Sequence, residues 1–144
     1  MSMSEPILDS PVSPAALSTT LATATILLVE DDAAVRRYLE VILRRAGYEV
    51  VCAANGIEAI KAALSSKIDA VVTDALMPQL NGHELCRYLR ARPELSRLPI
   101  LLLSGLEPNA AVPTTNEHAD AHLTKPVRPE AFTGCLASLL RARN

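Results

Sequence analysis

The sequence predicts an α/β protein built on a doubly wound, five-stranded parallel sheet. Five short apolar runs recur along the chain, and segments with helical periodicity separate them. The runs are continuous rather than alternating with polar residues, which is typical of strands buried on both faces of a sheet. Parallel strands need long crossovers, which helices supply. The chain of 144 residues has the length of one domain.

The predicted strands are TILLVE, YEVVCAA, DAVVTD, LPILLLS and AHLTK, in chain order. Helical segments AAVRRYLEVILRRAG, NGIEAIKAALSS and HELCRYLRA follow the first three strands, and PEAFTGCLASLLRAR follows the last. Gly47 is a stop signal for the first helix, Arg92-Pro93 ends the third, and Pro129 suits the first turn of the last.

Apolar residues at helical spacing predict which helix faces are buried. In the first helix these residues are Val35, Leu39, Ile42 and Leu43, with arginines on the other face. In the second helix the residues expected to face the core are Ile57, Ile60 and Leu64.

Two segments carry weaker structural signals. LEPNAAVPTTNEHAD, between the fourth and fifth strands, stands where a fourth helix is expected, but Pro108 and Pro113 interrupt it. It also lacks an apolar stripe, so this helix is predicted to be short or disordered. Residues 1–23 are rich in Ser, Thr, Pro and Ala, which predicts a flexible leader before a folded domain over 24–144.

Composition excludes several functional classes. The net charge of −2 argues against bulk binding to nucleic acid. No run approaches the roughly 18 apolar residues of a membrane span, and no signal peptide is recognisable, so a cytoplasmic protein without membrane insertion is expected. Cys52, Cys86 and Cys135 are odd in number and widely spaced, which disfavours zinc and thioredoxin-like sites. They are expected to be small core residues.

Polar residues follow four of the predicted strands. Glu30, Asp31 and Asp32 end the first strand, Asp74 the third, Ser104 the fourth and Lys125 the fifth. In parallel sheets the carboxyl ends of strands share one edge, where function gathers. Converging carboxylates repel one another, so a cation is expected to offset them. Mg²⁺ suits an all-oxygen site that lacks His and Cys, whereas zinc does not.

Ser104 and Lys125, together with the acidic group, indicate phosphoryl transfer. Phosphoryl transfer needs charge neutralisation around the phosphoryl oxygens and an in-line nucleophile, a role that a carboxylate such as Asp74 can fill. Each residue also has a simpler interpretation as a helix cap or a surface residue, and Asp32 is expected only to cap the first helix. The combination at four strand ends favours the functional interpretation.

The segments ILLVEDD, VVTDALMPQLNG, PILLLSG and LTKP resemble the receiver domain of two-component response regulators. The resemblance covers about residues 25–143. It implies a flavodoxin-like sheet with strand order 2-1-3-4-5 and five flanking helices.

The resemblance also implies roles for individual residues. Asp74 would be the phosphoacceptor, Ser104 the switch hydroxyl and Lys125 the phosphate-binding lysine, with a cis bond between Lys125 and Pro126. Glu30, Asp31, Asp74 and the backbone carbonyl of Leu76 would be the ligands of Mg²⁺, for which Mn²⁺ can substitute.

This chain departs from the family pattern at several positions. His122 stands where Tyr or Phe is usual, and a half-exposed polar role is expected for it; Val127 replaces a commoner Phe. Leu76 and Leu106 flank the expected path of the hydrolytic water and offer no polar group to orient it. We therefore expect slow self-dephosphorylation.

The expected function is to accept a phosphoryl group from a histidine kinase or phosphotransfer protein, and then to signal to a downstream protein, relay the phosphate or act as a phosphate sink. The domain would catalyse only its own phosphorylation and dephosphorylation. A stand-alone regulator is favoured, with a receiver excised from a hybrid kinase and a binding-only receiver as alternatives. A dehalogenase-like phosphatase is disfavoured because Leu76 stands where its second acid would lie.

The first helix is the expected contact for the phosphodonor. Its arginines and neighbouring apolar residues would form the docking surface, although a solvated face explains them equally well. These residues are Arg36, Arg37, Arg44, Arg45, Ile42 and Leu43. The weak fourth helix predicts a monomer or weak dimer.

Overall fold

The structure is a computed structural model that describes residues 23–105 and 118–143. One sheet holds all five strands in the order β2-β1-β3-β4-β5, and each neighbouring pair is parallel. The strands are β1 Thr25–Val29, β2 Glu49–Ala53, β3 Ala70–Asp74, β4 Ile100–Ser104 and β5 Ala121–Thr124. The predicted sheet and its strand order are confirmed.

Four helices lie in the described residues, at the positions that the apolar periodicity predicts. They are α1 Ala33–Arg45, α2 Gly56–Ser65, α3 Gly82–Ala91 and α4 Pro129–Arg143. The helix expected between β4 and β5 falls mainly on residues 106–117, which lie outside the described residues. Residues 1–22 of the predicted leader lie outside them too. No helix in the described ranges is long and apolar enough to cross a membrane.

Side-chain caps fix where the first three helices begin. The Asp32 carboxylate accepts the N–H groups of Ala34 and Val35, which confirms its predicted capping role. Asn55 caps α2, and Asn81 forms a reciprocal capping box with Glu84 at the start of α3. Each helix therefore begins within a few residues of the strand or loop that forms the carboxyl edge of the sheet.

The core has two layers, one on each face of the sheet. On one face β1, β3 and β4 pack against α2 and α3, and on the other they pack against α1 and α4. The residues of β3 and β4 are all buried, whereas the edge strands β2 and β5 are partly exposed. Burial on both faces therefore holds for the central strands only.

The buried face of α2 differs in part from the predicted one. Ile57 and Leu64 are 49% and 46% exposed, whereas Ile60 is partly buried and packs against the core as predicted. The buried residues of the helix are Gly56, Ala59 and Ala63. A Cβ at Gly56 would come closer than 3.0 Å to Leu80, so a larger residue does not fit at that position without a shift.

The cysteines are not all core residues. Cys86 is buried, and burial raises the pKa of its thiol to about 11. Cys135 is half-buried. Cys52 is exposed, so the prediction is wrong there, because β2 is an edge strand with one side open to solvent.

An arginine–aspartate pair joins β1, β3 and α4 at the amino edge of the sheet. Asp69, just before β3, accepts the N–H of Thr25 at 2.8 Å through Oδ2. Arg143, at the end of α4, lies 3.2 Å from Asp69 Oδ1 and donates to the Asp69 carbonyl at 2.7 Å.

A second arginine–aspartate pair lies at the same edge, beside the starts of β4 and β5. Asp120 Oδ2 accepts the N–H of Ile100 at 2.8 Å and the Arg90 guanidinium at 2.6 Å. Arg90 also donates to the carbonyl oxygens of His118, Ser96 and Leu98. One guanidinium from α3 thus supplies hydrogen bonds to both loops that lead into β4 and β5.

Candidate functional site

The carboxyl edge of the sheet brings together residues from four strand ends. Asp74 and Ser104 are the last residues of β3 and β4, and both are buried. Glu30 follows β1, where its N–H donates to the Ala53 carbonyl at 3.1 Å. Lys125 follows β5, and its N–H donates to the Ser104 carbonyl at 2.7 Å. Backbone pairing alone therefore places these positions side by side.

Three carboxylates form a cluster at this edge. Glu30, Asp31 and Asp74 each offer an oxygen, and these oxygens lie within 4.8 Å of one another. Glu30 is only 1% exposed and Asp74 is buried, whereas Asp31 is exposed. The cluster is thus a buried acidic pair with its third acid on the solvent side.

The Lys125 ammonium bridges the two buried carboxylates. Its Nζ lies 2.7 Å from Glu30 Oε1 and 3.2 Å from Asp74 Oδ2. Burial alone would lower the pKa of Lys125, but the hydrogen bond to Glu30 and the charge of Asp74 outweigh burial and raise it. The lysine is therefore firmly protonated and acts as a fixed positive charge.

Glu30 is held by several donors. Its Oε2 accepts the N–H of Asp32 at 3.2 Å, and the Arg36 guanidinium donates to its backbone carbonyl at 2.7 Å. Burial raises the pKa of the Glu30 carboxyl, and the nearby Asp74 charge adds to this, despite the opposing hydrogen bond from Lys125. Arg36 was predicted as part of the docking surface of the first helix, and its six-residue separation from Glu30 gives no local sequence signal for this contact.

Close backbone approach fixes the position of Asp74. A Cβ at Gly82 would come closer than 3.0 Å to the Asp74 carbonyl oxygen and to the Ala75 Cα, so only glycine fits there without a shift. The Gly82 N–H donates to the Ala75 carbonyl at 3.0 Å, and the Thr73 hydroxyl donates to the Asp74 carbonyl at 3.1 Å. Gly82 is the last residue of the segment VVTDALMPQLNG, and nothing in that segment signals this contact.

The structure describes all but one of the remaining predicted residues. The bond between Lys125 and Pro126 is cis. His122 is half-buried on β5, paired in register with Leu102. The Leu76 side chain is 49% exposed. Leu106 lies outside the described residues.

The donor set fits a hard divalent cation. Two buried carboxylates and a third exposed one face a single ammonium, so the described cluster carries excess negative charge. Its ligands are oxygens, which Mg²⁺ prefers, and no His or Cys joins the metal-ligating groups in the described part of the chain. Zinc, which favours nitrogen and sulfur ligands, does not fit.

Fold and site together define a class of protein. It is a doubly wound parallel α/β protein whose acidic, cation-compatible site lies where the carboxyl ends of β1 and β3 meet, with a lysine from the end of β5. Open sheets of this kind bind ligands at that switch point in strand order.

Residues 26–137 match the family model of the response regulator receiver domain. The chain belongs to this family and is a receiver domain of two-component response regulators.

Individual relatives agree with this assignment. The chain is 39% identical over 117 residues to the response regulator MprA of Mycobacterium sp. (strain KMS), an alignment that covers 81% of this chain and 50% of MprA. The chain thus spans about half the length of the curated relatives it matches.

Solved structures show the same fold. The receiver domain of sensor histidine kinase PA1611 from Pseudomonas aeruginosa, described with a magnesium ion in its active-site cleft, is 30% identical with a TM-score of 0.75, covering 83% of this chain and 99% of that one. The chemotaxis protein CheY4 of Vibrio cholerae is 30% identical with a TM-score of 0.71, covering 82% and 99%.

Proposed function

We propose that Asp74 accepts a phosphoryl group from a histidine kinase or a histidine phosphotransfer protein. The observation that carries this proposal is the buried Asp74 carboxylate, which shares the Lys125 ammonium with Glu30 at the carboxyl edge of the sheet. A buried carboxylate can attack phosphorus as a nucleophile, and the neighbouring ammonium offsets the negative charge of the phosphoryl group.

In the proposed reaction, an Asp74 carboxylate oxygen attacks the phosphorus of a phosphohistidine. A P–O bond forms while the P–N bond breaks, and the electron pair of that bond leaves with the imidazole nitrogen. The Lys125 ammonium then neutralises phosphoryl oxygens, and the Ser104 hydroxyl donates a hydrogen bond to another. Hydrolysis of the acyl phosphate returns the Asp74 carboxylate, so the domain acts on its own aspartate and not on a separate substrate.

The cation site belongs to the same proposal. Glu30, Asp31, Asp74 and the backbone carbonyl of Leu76 would hold Mg²⁺, or Mn²⁺ in its place, and the bound cation would offset phosphoryl charge. Support comes from the close set of carboxylate oxygens and from the magnesium ion described for the PA1611 receiver.

A docking surface for the phosphodonor lies on the α1 side of the site. A half-open cavity of about 400 Å³ borders Lys125 there, and its lining is almost entirely apolar. It is lined by Val35, Tyr38, Leu39, Leu103, Lys125, Pro126 and Val127. A helix that presents apolar side chains would fill it and place its phosphohistidine near Asp74.

The predicted docking face of α1 needs revision. Leu43 is fully buried and belongs to the core, so it is not available for a partner. Arg44 pairs with Glu40 at 2.9 Å and donates to the Val50 carbonyl, and Arg36 donates to the Glu30 carbonyl. These two arginines support the fold. The proposed surface is therefore the mouth of the cavity with the half-exposed Tyr38, together with the exposed Arg37 and Arg45 of the predicted face.

Phosphorylation of Asp74 would pass information on through protein contacts, by signalling to a target, by relaying phosphate or by acting as a sink. We expect the phosphorylated state to be long-lived, since Leu76 offers no polar group to orient an attacking water. The loss of the phosphoryl group from isolated protein measures this lifetime. A lifetime of seconds at room temperature would contradict it.

The experiment that tests the proposed function uses phosphoramidate, a small P–N donor that needs no partner protein. Wild-type protein with Mg²⁺ should gain one phosphoryl group by intact mass, and hydroxylamine should remove it, because hydroxylamine cleaves acyl phosphates but not serine phosphates. Asp74→Asn should gain none, while Asp69→Asn, at the opposite edge, should react like the wild type. Wild-type protein that stays unmodified would instead favour a receiver that signals by binding alone.

A further inference from the structure

Arg36 reaches the backbone of the acidic cluster from the first turn of α1. Its side chain is half-buried, and its guanidinium donates to the Glu30 carbonyl at 2.7 Å. Resting on the proposed function, we propose that Arg36 is a positioning residue of the cation site. Through the Glu30 carbonyl it holds the Glu30–Asp31 peptide so that both carboxylates stay within reach of one cation.

The Glu30 carbonyl belongs to the peptide unit that joins two ligands of the proposed cation. A peptide unit is planar, so holding its carbonyl oxygen restricts the direction in which the chain continues to Asp31. The N–H and the carboxylate of Glu30 are already engaged by other hydrogen bonds. The Arg36 guanidinium completes the set at the carbonyl.

Asp31 is the acid that depends most on its backbone. Glu30 is 1% exposed and Asp74 is buried, so packing restrains both of them, whereas Asp31 is exposed. The Asp31 carboxylate nevertheless offers an oxygen within 4.8 Å of those of the two buried acids. An exposed side chain follows its backbone, so the peptide that Arg36 holds determines whether Asp31 faces the cluster.

Arg36 is itself held firmly enough to position a neighbour. Its N–H donates to the Asp32 carbonyl at 2.8 Å, and the Asp32 side chain caps the same helix. The bond to Glu30 is partly buried and comes from a charged donor, which makes such hydrogen bonds short and strong. The guanidinium stays protonated throughout the pH range in which the protein is folded.

The charge of Arg36 and its hydrogen bond act on cation binding in opposite directions. A guanidinium near the cluster repels a divalent cation, so removing it would tighten binding if charge were the main effect. If the hydrogen bond positions Asp31, removing it weakens binding instead. A residue that only stabilises the helix would change the free energy of unfolding and leave the affinity of the folded protein unchanged. The change in affinity therefore separates the three roles.

The test is isothermal titration of Mg²⁺ into wild-type protein, Arg36→Ala and Arg97→Ala at one ionic strength. Arg97 is exposed in the loop before β4, so Arg97→Ala makes the same change in net charge at the opposite edge of the sheet. We expect Arg36→Ala to bind Mg²⁺ about tenfold more weakly, as is usual when a residue that supports metal ligands is lost. Arg97→Ala should match the wild type.

A double variant locates the effect. Asp31→Asn removes the ligand that Arg36 is proposed to position, so adding Arg36→Ala to it should weaken Mg²⁺ binding little further. A further loss as large as the one that Arg36→Ala causes alone would show that Arg36 does not act through Asp31, and the proposal would fail.

Unchanged or tighter Mg²⁺ binding by folded Arg36→Ala would overturn the positioning role. If the wild type is phosphorylated on Asp74 in that case, the proposed function stands and only the role of Arg36 fails. If the wild type neither binds Mg²⁺ nor is phosphorylated on Asp74, both proposals fall.

Arg36→Lys covers the case in which Arg36→Ala does not fold. Lysine keeps the positive charge and the flexible stem but replaces the rigid guanidinium fork with a single ammonium group. We expect Arg36→Lys to bind Mg²⁺ more weakly than the wild type although the net charge is the same. If Arg36→Ala is unfolded, equal affinities of Arg36→Lys and the wild type would contradict the proposal.

Discussion

The two edges of the sheet use the same kinds of residue in opposite ways. At the amino edge each aspartate has its own arginine, Asp69 with Arg143 and Asp120 with Arg90, and each carboxylate also accepts a strand N–H group. At the carboxyl edge, Glu30 and Asp74 share the single ammonium of Lys125, and Asp31 adds a third carboxylate beside them. One edge is balanced in charge, and the other is left with excess negative charge.

The difference shows how a structural acid can be distinguished from a functional one. An aspartate that closes a strand end with its own counter-ion needs nothing from solution, because its hydrogen bonds and charge are satisfied within the fold. A cluster with more buried acids than cations favours any further positive charge. The carboxyl edge therefore favours the binding of a cation, and the amino edge does not.

Gly82→Ala should have the largest effect of the changes considered, and it acts on the carboxyl edge. The added Cβ would press on the Asp74 carbonyl, so we expect a loss of about 3 kcal/mol in the free energy of unfolding and slower phosphorylation of Asp74. Urea denaturation and the phosphoramidate assay measure the two effects.

The matched control is Gly134→Ala in α4, where a Cβ would meet nothing within 4 Å. It should stabilise the helix by about 0.5–1 kcal/mol. Equal stability changes in the two variants would show that the Asp74 backbone tolerates displacement.

Arg90→Ala tests the amino edge. It removes the counter-ion of Asp120 and leaves several loop carbonyls without their donor, so we expect a loss of about 2–3 kcal/mol in the free energy of unfolding. The folded fraction should still be phosphorylated at the normal rate. Arg87→Ala, exposed on the same helix, should change little. Impaired phosphorylation in folded Arg90→Ala would mean that the two edges are coupled.

Mg²⁺ should stabilise the protein through the carboxyl edge and not through the amino edge, because only the carboxyl edge has excess negative charge. We expect millimolar Mg²⁺ to stabilise the protein by about 1–3 kcal/mol over EDTA, because it binds only the folded state. Asp31→Asn should lose most of this gain, whereas Asp69→Asn should keep all of it. Thermal melts in both buffers measure the gain. Equal melting temperatures of the wild type in EDTA and Mg²⁺ would rule out a functional cation site.

Arg143→Ala should have the smallest effect. Its pair with Asp69 is partly exposed, so we expect a loss of only about 0.5 kcal/mol, which 1 M salt should reduce further by screening. A double-mutant cycle with Asp69→Asn isolates the interaction. A coupling energy between Arg143 and Asp69 as large as the effect of Arg90→Ala would contradict this prediction. It would show that solvent exposure does not determine how much each arginine–aspartate pair stabilises this edge.

The site was predictable because strand ends are predictable. Apolar runs mark where β1, β3 and β4 end, and a parallel sheet brings those ends to one edge. The polar residues that follow, such as Glu30 and Asp74, are therefore neighbours whatever their separation in sequence. The strand order itself came from the resemblance, since periodicity alone does not distinguish one order from another.

Other features depend on distances that a sequence does not encode locally. In α2 the side chains of Ile57 and Leu64 are exposed although they lie at helical spacing, and nothing in the local sequence marks the close approach of Gly56 to Leu80. Arg90 reaches Asp120 across 30 positions, and nothing near either residue marks the pair. Such contacts are consequences of the fold rather than signals for it.

The side chain and backbone of Asp69 connect the first strand and the last helix of the described residues. Thr25, at the start of β1, and Arg143, at the end of α4, both bond to this one residue. The unit from β1 to α4 therefore starts and stops at neighbouring points, on the edge opposite the acidic cluster. Such a unit can be inserted into a host loop or permuted circularly with little distortion, because joining its ends requires only a short connection.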